Sequence, residues 1–160
     1  MGKSSVKENK SVYQLAREEK GLSRMEAADL MHEYGVTDYR LVRLEGGETA
    51  MQPLDVFAMS KAYNKPELRN YYCTHECDIG KCDAPQVKMD SGIHELLVNM
   101  LLSLEAVNTD KVRLMEILAD GKVESHEKKD FEQIKQKLEQ ISMAVESLQL
   151  WCERMENGEN

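Results

Sequence analysis

"GVTDYRLVRLEGGE", residues Gly35–Glu48, decides how the first half of the chain is read. Thr37 is a residue type that opens helices by accepting a hydrogen bond from the first turn, and Gly46-Gly47 is a stop signal. Between them, Leu41 and Leu44 supply an apolar side, while Asp38, Tyr39, Arg40 and Arg43 are polar or cationic. Such a helix is either one more solvated helix of a small acidic protein or one that presents its outer face to DNA. The flanking residues decide between the two.

On the N-terminal side lies "SRMEAADLMHEY", in which Ser23 and Glu26 have capping-box spacing and Gly35 closes the helix after an extended "HEY" end. Val36 fills the turn before Thr37. Ala27 is small enough for two helices to approach, and Val36, Leu41 and Leu44 pack the angle between them. Two helices joined in this way form a helix-turn-helix, whose second helix turns its N-terminal residues outward. Around this pair, Ser11 and Gln14 open "SVYQLAREEK", which ends at Gly21. Pro53 takes the first position of "PLDVFAMSKAY", and "PELRNYY" follows Asn64. Five short helices over residues 11–72 predict a compact all-α domain. Residues 1–10, with Lys3, Lys7 and Lys10, read as a flexible basic arm.

Residues 11–72 resemble the lambda-repressor-like helix-turn-helix domain of the xenobiotic-response-element regulators. The likeness is carried by Leu22-Ser23, Gly35-Val36, Thr37, Leu41, Leu44-Glu45 and Gly47. The whole chain, with "YYCTHEC" and the helices that follow, is similar to small regulators of Firmicutes, often found on mobile elements. The resemblance implies that Thr37, Asp38, Tyr39 and Arg40 contact base edges, with Arg43 one turn further along. It places Ser23 and Arg24 against the phosphate backbone, Arg24 standing where a glutamine is often found. Double-stranded DNA is then the expected partner and transcriptional regulation the expected function. The alternative is a protein-interaction adaptor whose helix-turn-helix no longer binds DNA.

Charge is divided unevenly. Residues 1–72 carry eleven basic and eleven acidic side chains, so the net charge of −8 belongs to residues 73–160. Phosphate contacts require cations, so any DNA surface belongs to the first part. No run of about 18 apolar residues exists, and the N-terminal lysines are followed by no apolar core of a signal, which predicts no membrane span and a cytoplasmic setting. No nucleophile with a base and no phosphate-binding loop is present, so nothing suggests an enzyme.

"CTHECDIGKC" places Cys73, His75, Cys77 and Cys82 within ten positions. Four nitrogen and sulfur donors are the inventory of a zinc site, although the C-x-H-x-C-x4-C spacing differs from the usual C-x2-C knuckles. The cysteines also fit thiol-based redox gating or plain packing of a joint, and residues 73–89 read as a linker. After it, Ile93, Leu97, Met100, Leu104, Val107, Lys111, Leu114 and Leu118 recur at intervals of four and three. Phe131, Ile134, Leu138, Ile141, Val145, Leu148, Cys152 and Met155 repeat the pattern beyond a turn around Asp120-Gly121. Two such seams predict an antiparallel helical hairpin over residues 90–156, each arm roughly 40 Å long. Apolar residues off the seam, among them Leu101 and Met115, call for a partner, either a second copy or the N-terminal domain, and a homodimer through the hairpin is expected.

Overall fold

In the computed structural model, residues 10–87, 92–119 and 121–158 are described. Most of the basic arm, part of the linker and Asp120 of the predicted turn lie outside them. The protein is all-α, with no strand among the described residues. It divides into two compact units: the described chain through Ala84 together with the stretch from Glu153, and residues 85–152.

The first unit contains α1 (Val12–Glu19), α2 (Arg24–Leu30), α3 (Asp38–Glu45), α4 (Pro53–Ala62), α5 (Glu67–His75) and a short α6 (Gly80–Asp83). Polar caps set the starts. Ser11 Oγ accepts from Gln14 N, and Thr37 Oγ1 accepts from Arg40 N. Ser23 and Glu26 form the complete box, each side chain accepting from the other residue's backbone N–H. Where the sequence extends the second helix through "HEY", the structure ends α2 at Leu30 and makes His32–Tyr34 a separate 3-10 turn. That turn closes on Gly35, which has φ 73°, a left-handed conformation that costs glycine little. The chain can then reverse into Val36 and α3.

The core of this unit gathers one side of each helix: Ala27 and Met31, Val36 and Leu41, Val56 and Met59, Tyr63 and Leu68 are all essentially inaccessible. Ala27 is fully buried, as the close approach of α2 and α3 requires. Tyr63 is fully buried as well, and its hydroxyl finds no hydrogen-bond partner among the described residues. Burial pushes the Tyr63 phenol well above its usual value, with the nearby Glu45 charge acting in the same direction. Tyr63→Phe removes an unsatisfied polar group and keeps the ring, so a gain of about 0.5–2 kcal/mol in urea unfolding is expected. A phenol whose pKa is raised by folding keeps its proton while the unfolded chain ionises, so stability is present below pH ~10 and declines above it. The same substitution therefore lessens the alkaline loss.

The second unit is built on α7 (Ile93–Leu118) and most of α8 (Lys128–Glu156). Arg113 near the end of α7 pairs with Asp130 at the start of α8 at 2.9 Å, and Asp110 pairs with Lys137 further back. Pairs that step backward on one helix and forward on the other belong to helices running in opposite directions. The buried row coincides with the predicted seam only in part. Its less exposed members on α7 are Met100, Ser103, Val107, Asp110, Leu114 and Ile117, while Leu97, Leu104 and Leu118 are exposed. On α8 the row follows Ile134, Lys137, Ile141, Ala144 and Leu148, and Leu138 and Val145 are exposed. Counting only large apolar residues passes over small and ion-pairing side chains that occupy the contact. Ser103, Ala106, Ala144 and Ser147 line a groove of about 510 Å³ on one side of it.

Candidate nucleic-acid interface

α3 is held by carboxylates as much as by apolar packing. Leu41 and Glu45 lie one turn apart on the same face, and both are buried. Glu45 accepts from Arg17 Nε at 2.6 Å, from Arg17 Nη2 at 3.0 Å and from Arg24 Nε at 2.8 Å. Arg17 also donates to the Leu22 carbonyl at 2.6 Å, which ties α1 to the start of α2. Burial disfavours the Arg17 guanidinium, but the Glu45 hydrogen bonds and charge outweigh it and raise its pKa. One acid therefore joins the last turn of α3 to α1 and to the first residue of α2.

A second fork fixes the other end of α3. Arg40 donates through Nε and Nη2 to both oxygens of Asp55, at 2.8 and 2.7 Å. Asp55 is nearly buried and accepts in addition from the Gln52 N–H at 3.1 Å, at the start of α4. The hydrogen bond and charge of Asp55 hold the Arg40 pKa above its usual value. Of the seven residues singled out by the sequence, Arg24 and Arg40 thus serve as bridges between helices. Ser23 and Thr37 spend their hydroxyls on caps.

The outer face of α3 is different. Tyr39 is 71% exposed, and Arg43 one turn later lies with its guanidinium 5.8 Å from the centre of the Tyr39 ring. The carboxylate near Arg43 is Glu48, at 3.8 Å and largely exposed. An exposed ion pair at that distance is weak, worth about 0–1 kcal/mol. Asp38 is exposed beside them in the first turn. The structure thus separates arginines held in bidentate contacts from one that is loosely held and stacked on an aromatic ring. Arg17, Glu45 and Asp55 were not among the predicted site residues. The signal for Glu45 was available, since a charged residue at the i+4 position of Leu41 must be buried with a partner.

The cysteine segment takes a different place from the predicted linker. α5 continues through His75 and therefore contains Cys73, and Cys82 lies in α6, all inside the first unit. His75 stacks on Tyr71 with ring centres 4.4 Å apart, and its Nδ1 lies near Thr74 Oγ1 and the Tyr71 carbonyl. Cys77 Sγ accepts from Gly80 N at 3.5 Å, and Cys82 Sγ donates to the Asp78 carbonyl at 3.5 Å. All four cysteines are free thiols, and among the described residues no three His, Cys, Asp or Glu converge on a metal position. The four predicted zinc donors are therefore not brought together.

Close packing of α6 on α5 depends on Gly80, where an added Cβ would meet the Cys73 carbonyl well inside van der Waals contact. Gly80→Ala forces α6 away from α5. The expected cost is about 1–3 kcal/mol in urea unfolding, with faster alkylation of the half-buried Cys73 thiol.

No protein family, curated protein or solved structure matches this chain. No helix among the described residues is long and apolar enough to cross a membrane.

Proposed function

We propose that the protein is a sequence-specific DNA-binding regulator that acts as a homodimer. In this reading α2 and α3 form the helix-turn-helix of a lambda-repressor-like domain, and α3 enters the major groove. α7 and α8 form a helical hairpin that joins two copies. The observation that carries it is the pair of exposed Tyr39 and half-exposed Arg43, its guanidinium over the Tyr39 ring, mounted on a helix whose two ends are fixed by bidentate contacts, one buried and one partly buried. A reading head needs accessible side chains on an element that does not move, and α3 supplies both. Arg43 offers the two-pronged donor that matches guanine O6 and N7, with the Tyr39 ring limiting its rotamers. Ser23 and Arg24 stand at the start of α2, where the resemblance places a phosphate contact.

The electrostatics support selective rather than indiscriminate binding. The first 72 residues are neutral and the remainder is acidic, so the sequence-independent attraction to DNA is small. A salt series with fluorescently labelled duplex tests this. A falling log–log slope of about 0.9 per phosphate contact is expected, and loss of Arg43 weakens binding at every salt concentration. Absence of any duplex binding down to low salt contradicts the reading.

A further inference from the structure

We propose that Asn108 lies on the two-fold axis of a homodimer in which α7 packs against the α7 of a second copy running the opposite way. The inference rests on the reading of the two long helices as the dimerisation element and specifies its face and register. Leu97, Leu101, Leu104, Asn108, Val112, Met115 and Ala119 follow one another at intervals of four, three, four, four, three and four. At 100° per residue these positions fall within about 80° of one another, on a single side of α7. The order of intervals is the same from either end, with Asn108 at the centre. An isologous contact between antiparallel helices requires that symmetry, because positions equally far from the axis meet. Leu101 then faces Met115 of the second copy, and Leu104 faces Val112.

Among the described residues nothing covers the row. Its large residues are 43–71% exposed, and the neighbouring Leu118, Leu138 and Val145 widen the apolar surface. Asp110 pairs with Lys137, so Leu138 on α8 stands about level with Asn108. Together these eight apolar side chains expose on the order of 700 Å². A typical monomer's largest patch is about 300–600 Å², and a standard interface buries about 800 Å² on each partner. The row also carries no charge, although residues 73–160 hold the whole −8 of the chain. Two acidic copies approach at least electrostatic cost along such a strip. At its centre Asn108 carries both a donor and an acceptor, so its amide pairs with its own copy and penalises any other register.

Sedimentation equilibrium of the full chain tests the register through Leu101→Lys, Met115→Glu and the double variant. Each single substitution sets a charge against an apolar side chain and weakens the dimer by about tenfold or more. Positions 101 and 115 are about 21 Å apart along one helix, so the introduced charges cannot meet within a chain. Across the axis they do meet, and the double variant returns to within about threefold of the parent. Both sites are exposed, so circular dichroism should show unchanged helix content in every variant. If the losses add in the double variant, this register is wrong while a homodimer still stands. If the parent is monomeric throughout, the register and the homodimer reading fall together.

Discussion

Glu45→Ala is expected to cost about 3–5 kcal/mol, a large share of the about 5–15 kcal/mol that stabilises an ordinary domain. The side chain of Glu45 is 1% exposed and that of Arg17 6% exposed, and the guanidinium binds the carboxylate through Nε and Nη2. Removing the acid leaves a buried cation with the Leu22 carbonyl and, at 3.9 Å, the Glu18 carboxylate in place of two close charge-assisted hydrogen bonds. Desolvation of that charge, rather than the lost ion pair, sets the size of the effect. Arg24→Ala provides the contrast, because its side chain is 37% exposed and water takes over its contacts. A loss of about 1 kcal/mol or less is expected there. Urea unfolding of the two variants side by side, monitored by helix content, measures the difference. Similar losses in both would mean that Glu45 and Arg17 are not the link joining α3 to α1.

The second large effect is on binding. Arg43→Ala is expected to lower affinity for a selected operator by about 1–3 kcal/mol, roughly 10- to 100-fold, and to relax preference at one base pair. Stability should change little, since Arg43 is half exposed and its partner Glu48 lies in solvent. Arg43→Lys should not rescue it, because an ammonium has neither the planar fork nor the same stacking on Tyr39. Arg40→Ala behaves differently: it frees nearly buried Asp55 and loosens the start of α4, so its binding loss comes with a loss of stability. Competition binding together with urea midpoints separates the two arginines.

This division was only half visible in the sequence. Caps at Ser11, Ser23 and Thr37, the proline start of α4 and the glycine at the α2–α3 turn are local signals, and each sits where it was read. Local signals do not say which arginine meets which acid across 15 or 28 residues, and those pairings sort Arg40 and Arg17 from Arg43. The cysteine segment was misplaced for a related reason. Its composition suggests a joint, whereas the fit of Gly80 against the Cys73 backbone makes it a packed corner. In α7 and α8 the long helices were legible from their periodicity. The facing side was legible only in part: Met100, Val107, Leu114, Ile134, Ile141 and Leu148 lie on it, but Ser103, Asp110, Lys137 and Ala144 occupy contact positions that an apolar count skips. Of the leucines assigned to the seam, Leu97, Leu104, Leu118 and Leu138 were left exposed.

Selection from a random double-stranded DNA library at physiological salt, comparing the parent chain with Tyr39→Ala/Arg43→Ala, tests the central claim most directly. The account predicts a two-fold symmetric motif for the parent, containing a guanine in each half-site, and its loss in a variant that stays folded and dimeric. Recovery of no motif by a folded, dimeric parent, or of the same motif by both proteins, would contradict it.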